Sequence, residues 1–83
     1  MEQTIQISIY YFAGLRDITK KDVETITIRK GVTAESVYQH LITKYSLPAI
    51  NHLKVAINDS FASHDTEIMD QDKLVFIPPV TGG

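Results

Sequence analysis

The sequence predicts an α+β domain, a mixed sheet of about five strands with one main helix packed on it. Three observations carry this. Apolar residues alternate with polar ones at residues 4–12, 24–28 and 53–58, the two-residue period of strands with one buried face. Val37, Leu41 and Tyr45 recur every four residues beside Tyr38 and Ile42, which makes one helical stripe. Leu74, Val75, Phe76 and Ile77 form a near-continuous apolar run, the pattern of a central strand covered on both sides.

Along the chain, Ile5, Ile7, Ile9 and Tyr11 set the buried face of the first strand against Gln6, Ser8 and Tyr10. The segment Ala13-Gly14-Leu15-Arg16-Asp17 breaks the alternation, so a long loop is expected before Ile26 and Ile28 resume it between Thr25, Thr27 and Arg29. These two strands form an antiparallel hairpin in this reading. Gly31 ends the second strand, Thr33 suits a helix N-cap, and Glu35 is well placed in the first turn. The helix is expected to run to about Tyr45, and Pro48 keeps 46–52 a connector. Leu53, Val55 and Ile57 make the next strand, with Asn58-Asp59 as a tight turn into Ser60-Phe61-Ala62. Asp70-Gln71-Asp72 turns the chain into the final strand.

At 83 residues the chain forms one domain with a modest core. Without cysteine it has no disulfide or thiolate metal site to rely on, and packing must hold it together. Eight basic against ten acidic side chains give a net charge of −2, which disfavours a nucleic-acid partner. No window has the roughly 20 apolar residues of a membrane span. Gln3, Gln6 and Ser8 interrupt the early isoleucines where a secretory signal would be continuous, so a cytoplasmic protein is expected. The late acids Asp59, Asp65, Glu67, Asp70 and Asp72 read as turn residues, or as complements to a basic partner. His40, His52 and His64 share no metal-ligand spacing, no serine sits in a nucleophile elbow, and Gly14 and Gly31 are isolated. No metal site and no side-chain active site are expected.

What remains is the ending, Pro78-Pro79-Val80-Thr81-Gly82-Gly83. The prolines cannot donate to a sheet ladder and favour an extended course, and two glycines carry no side chain into a narrow pocket. The organisation expected is a domain at 1–77 and a tail at 78–83 reaching roughly 20 Å at about 3.3 Å per residue. A carboxylate at Gly83 is a poor electrophile until another enzyme activates it, for instance by joining it to the AMP of ATP.

The ending Phe76-Ile77-Pro78-Pro79-Val80-Thr81-Gly82-Gly83 resembles that of the small, sulfur-carrying subunits of molybdopterin synthase, a ubiquitin-like β-grasp family. Tyr11-Phe12-Ala13-Gly14-Leu15-Arg16-Asp17 and Val55-Ala56-Ile57-Asn58 are similar to two further family patterns. Where the family often has Gly-Asp before the last strand, this chain has Gln71-Asp72; a positive φ there would cost on the order of 1 kcal/mol. The resemblance implies a carrier that is not an enzyme on its own and binds no stable cofactor. Gly83 would pass through a transient acyl-adenylate, made with ATP by a ubiquitin-activating-enzyme-like adenylyltransferase, to a thiocarboxylate. Its sulfur would build the dithiolene on a cyclic pyranopterin precursor inside a large catalytic subunit, in a heterotetramer of two small and two large subunits. Gly82 would be the slender neck, with Phe76, Pro78, Pro79, Val80 and Thr81 at the partner interface; Phe76 is equally readable as core. A carrier for thiamine, cysteine or transfer-RNA thiolation, a ubiquitin-like protein modifier, and a plain interaction module stay open as alternatives.

Overall fold

A computed structural model describes residues 3–47 and 53–77. The elements in order are β1 (Thr4–Tyr10), α1 (Ala13–Thr19), β2 (Val23–Arg29), α2 (Ala34–Tyr45), β3 (Lys54–Ile57), β4 (Ser60–Ala62) and β5 (Lys73–Ile77). They build one five-stranded sheet in the order β2-β1-β5-β3-β4, with β1 and β5 parallel and the other neighbours antiparallel. This is the mixed sheet with one main helix that the patterning predicts, and β5 is its central strand.

The helix α2 starts where Thr33 can cap it: the Thr33 Oγ1 accepts the Ser36 N–H at 3.2 Å. It ends at Ser46, whose left-handed backbone (φ 60°) turns its N–H back to the Ile42 carbonyl at 2.8 Å. Ala34, Val37, Tyr38 and Leu41 form its buried face. Against them lie Ile5, Ile7 and Ile9 of β1, Val55 of β3, and Leu74 and Phe76 of β5. The Tyr38 and Phe76 rings meet with centroids 4.8 Å apart, tilted by 53°. A buried aromatic pair of this kind contributes about 1 kcal/mol beyond the area it removes from water.

Two expectations need correcting. The loop expected between the first two strands contains α1, whose Leu15 and Thr19, one turn apart, are both buried. Seven residues are too few for a stripe to stand out, and Phe12 at the N-cap provides no side-chain cap. The apolar run of β5 is also covered on one face only. Leu74 and Phe76 are buried under α2, whereas Val75 and Ile77 on the opposite face are only partly buried.

The turns are tied together by side chains. Asn58 and Asp59 both take positive φ, 52° and 73°, as a two-residue hairpin with right-handed strand twist requires. Asn58 then bridges to β5: its Nδ2 donates to Asp72 Oδ1 at 2.8 Å, and its Oδ1 accepts the Lys73 N–H at 3.0 Å. Asp72 Oδ2 accepts the Met69 N–H, and Asp70 Oδ1 accepts the Gln6 N–H, each at 2.8 Å. Asp70 and Asp72 therefore serve the turns. Gln71 between them has φ 70°, a conformation that glycine adopts without strain. Gln71→Gly should stabilise the domain by about 0.5–1 kcal/mol, measurable as a higher urea midpoint at unchanged slope. An unchanged or lower midpoint would show that the Gln71 side chain repays the backbone strain.

Candidate functional site

The sheet has a second face, away from α2, and the register puts apolar residues in one line across it. Val23 of β2 pairs with Tyr10 of β1, Tyr10 with Val75 of β5, Val75 with Ala56 of β3, and Ala56 with Phe61 of β4. Paired residues on neighbouring strands point to the same side, so the five side chains form a continuous row. Its ends are open to solvent, with Val23 46% and Phe61 73% exposed. Phe12, 52% exposed, extends the row beyond β1. Tyr10, Phe12 and Val75 line a groove of about 230 Å³ flanked by Asp59 and Lys73. An apolar row that crosses every strand, with exposed ends and a partly buried middle, is the kind of surface that marks an interaction site.

The row lies beside the root of the tail. Ile77 ends β5 opposite Lys54 and stands two residues beyond Val75 on the same face, about 7 Å along the strand. Pro78, Pro79, Val80, Thr81, Gly82 and Gly83, the tail positions singled out in the sequence, lie outside the described residues. Phe76 is the exception among the expected interface residues. It has no solvent exposure and packs on Tyr38, so of the two readings open for it, core and docking, its ring takes the core one.

No group of three or more potential metal ligands occurs among the described residues. His64 Nε2 lies 2.7 Å from the Leu53 carbonyl oxygen, His40 is exposed on α2, and His52 lies outside the described residues. No helix among the described residues is long and apolar enough to cross a membrane.

One polar cluster escapes the sequence reading. Glu24 is in phase with Ile26 and Ile28 and points to the α2 side, with its side chain only 8% exposed. Its Oε1 accepts the hydroxyls of Tyr11 at 3.0 Å and Tyr45 at 2.8 Å, and its Oε2 accepts the ammonium groups of Lys21 at 3.2 Å and Lys44 at 2.8 Å. Burial pushes the carboxyl pKa up, but the hydrogen bonds from Lys44, Tyr45, Tyr11 and Lys21 outweigh it and hold the group at about 2. Burial, then the bond to Glu24, drives the Tyr11 phenol upward. The bond to Glu24 raises the Lys44 pKa, and the bonds to Tyr45 and Glu24 raise that of Lys21. Such a carboxylate is fully ionised and spoken for at neutral pH, so it is a clamp between β2 and α2 with no free lone pair for chemistry.

Comparison with known proteins agrees with this architecture. A sequence model of the ThiS family matches residues 9–83. The molybdopterin synthase sulfur carrier subunit of Haemophilus influenzae is 32% identical over 82 residues, covering 93% of this chain and 99% of that protein. The solution structure of the Haloferax volcanii protein HVO 2177 superimposes with a TM-score of 0.82 at 21% identity, covering 96% of this chain and 88% of that one. The ubiquitin of Caldiarchaeum subterraneum superimposes with a TM-score of 0.68 at 16% identity, covering 98% of this chain and 100% of that one, which places the fold among the ubiquitin-like β-grasp domains. With nine-tenths of its length inside the family match, the chain belongs to the ThiS family.

Proposed function

We propose that this chain is the sulfur carrier subunit of a molybdopterin synthase. The observation that carries the reading is the apolar row from Val23 to Phe61, which crosses at Val75 the strand that leads into the Gly82-Gly83 tail. Support comes from the Haemophilus influenzae relative, itself a molybdopterin synthase sulfur carrier subunit. In this reading the sheet face grips a partner while the tail carries the reacting atom into that partner's pocket.

The chemistry proceeds in balanced steps. The Gly83 carboxylate attacks the α-phosphate of ATP in an adenylating enzyme, releasing pyrophosphate and forming an acyl-adenylate. The terminal sulfur of a donor's persulfide displaces AMP to give an acyl disulfide, and a thiol reductant then cleaves the S–S bond, forming a disulfide with the donor's sulfur, so that the tail ends in a thiocarboxylate. Inside the large subunit that sulfur attacks a carbon of the pyranopterin precursor, the oxygen substituent on that carbon leaves, and hydrolysis of the acyl–sulfur bond leaves the sulfur on the pterin and returns the carboxylate. Each carrier delivers one sulfur, so a dithiolene takes two deliveries, in keeping with two small subunits on a central pair of large ones. Held in a pocket, the thiocarboxylate gains from orientation what a free sulfur donor in solution lacks.

The test is intact-mass spectrometry of the chain after incubation with the adenylating enzyme, ATP and a sulfur source. Exchange of one oxygen for one sulfur at Gly83 is expected, followed by its loss when the large subunit and precursor are added. An unchanged mass, under conditions that load a known carrier, overturns the reading. A thiocarboxylate that a thiazole-forming enzyme discharges and the pterin synthase does not would keep the carrier and replace the pathway. Covalent adducts on lysines of other proteins would make it a modifier. In the same assay Val75→Asp should weaken capture by the large subunit about tenfold or more, because a charge would be buried at the centre of the contact.

A further inference from the structure

The open sheet face carries charge beside its apolar row, and the charge is one-sided. Glu24 is the one acidic residue within the five strands, and its side chain points to the α2 side. Two lysines point the other way. Lys54 of β3 stands opposite Ile77 at the root of the tail, and Lys73 of β5, paired with Ser8, lies two residues before Val75. They flank the row on opposite sides, separated by about 13 Å along the strand direction.

Most other cations are already engaged. Arg16 pairs with Asp22, Lys21 and Lys44 pair with Glu24, and the Lys30 ammonium donates to Gln3 Oε1. Lys54 and Lys73 are exposed and make no ion pair among the described residues. The Lys54 ammonium lies 5.7 Å from the centroid of the Phe61 ring, over the exposed end of the row. The shallow hollow around it, lined by Leu53, Phe61, Ser63 and His64 among others, has no acidic residue. Lys73 differs, because it shares the groove at Tyr10 and Val75 with Asp59. The tail side of the row is therefore positive, whereas the far side carries both signs.

That asymmetry matters because apolar contact is non-directional. The row has exposed apolar side chains at both ends, Val23 and Phe61, so an apolar strip on a partner can lie along it in two senses related by a half-turn. Only one sense delivers the root of the tail to the partner's pocket. We propose that Lys54 is the orienting residue of this face: the large subunit presents a carboxylate to it at the mouth of the tail pocket, and the pair selects the productive sense of docking. The proposal rests on the sulfur-carrier reading and adds the chemistry of the partner's contact. In the reversed sense the same carboxylate would arrive at Lys73 and Asp59, where attraction and repulsion offset each other. A second copy of this chain is a poorer occupant, because face-to-face pairing would bring lysines together with no strand carboxylate to meet them.

The test uses the full chain and the large subunit. Lys54→Gln should lower the affinity about fivefold and Lys54→Glu about tenfold or more, chiefly through slower association, while Lys54→Arg keeps parental binding. Added salt should weaken capture of the parent more than capture of Lys54→Gln. At saturating large subunit Lys54→Gln should still transfer sulfur about threefold more slowly, because a share of the complexes holds the tail in the wrong place. A carbodiimide, which joins an amine to a carboxylate with loss of water, should link Lys54 to an aspartate or glutamate of the large subunit. Parental affinity in Lys54→Glu, parental transfer by Lys54→Gln at saturation, or cross-links from Lys73 in place of Lys54 would each overturn the proposal. So would slower loading by the adenylating enzyme with unchanged transfer, which assigns Lys54 to that encounter, or a dimer of the free chain that links through Lys54. A parent chain that the large subunit does not capture at all is a separate failure, since it defeats the sulfur-carrier reading and the proposal with it.

Discussion

Deleting Gly83 should abolish sulfur transfer and leave the domain as stable as before. The reacting carboxyl would then sit on Gly82, one residue short, which withdraws it by about 3.5 Å from any pocket built for the full tail. Misplacing a reacting group by even 1 Å costs on the order of 10²-fold in rate, so a retreat of this size leaves no measurable transfer. Stability should be unaffected because the core closes at Phe76, under Tyr38, before the tail begins. Single-turnover assays with the large subunit measure the first effect, and thermal unfolding of the free chain the second. Transfer at even a tenth of the full rate would mean that the terminal carboxyl is not the reacting group. An addition of one glycine after Gly83 should be similarly damaging, which separates a requirement for reach from a requirement for length alone.

The fold was largely legible in the sequence because its signals are local. The alternation of Ile5, Ile7 and Ile9, the Thr33 cap, the stripe through Val37 and Leu41, and the Asn58-Asp59 turn each act within a few residues, and each lies where it was expected. The short α1 was missed because its only burial signal is Leu15 and Thr19 one turn apart, without a capping side chain. The apolar row on the open sheet face was illegible for a different reason. Val23, Tyr10, Val75, Ala56 and Phe61 are scattered over the chain, and they become neighbours only through the pairing register of all five strands. Phe76 shows the same limit, since the parity that buries it beneath α2 is fixed by its pairing with Val55. The tail is the reverse case: its composition speaks directly from the sequence, and it lies outside the described residues.

Replacing Glu24 should have the largest effect on stability of any polar substitution among the described residues. Glu24→Ala removes the acceptor of two tyrosine hydroxyls and two ammonium groups at once. Tyr11 is almost fully buried, 1% exposed, and water cannot readily replace the lost carboxylate. Breaking a buried ionic cluster by removing one member costs about 3–5 kcal/mol, a large part of the roughly 5–15 kcal/mol that holds a domain together. The melting temperature should fall by on the order of 20 °C. Glu24→Gln keeps the shape and one acceptor oxygen, and should lose about half as much. The acid limb provides an independent check. The folded carboxyl titrates near 2 against an ordinary value of 4.5, so between these values the unfolded chain binds the extra proton. The stabilisation is complete above about pH 4.5 and is lost as the pH falls toward 2, amounting to about 3 kcal/mol. Urea midpoints for the parent should therefore drop across this window, and those for Glu24→Gln should drop much less. Equal acid limbs in the two proteins would remove Glu24 from the account of stability. If Glu24→Gln melts early yet receives and delivers sulfur at the parental rate well below its melting point, the cluster serves the fold alone, and the chemistry resides in the tail and the sheet face that presents it.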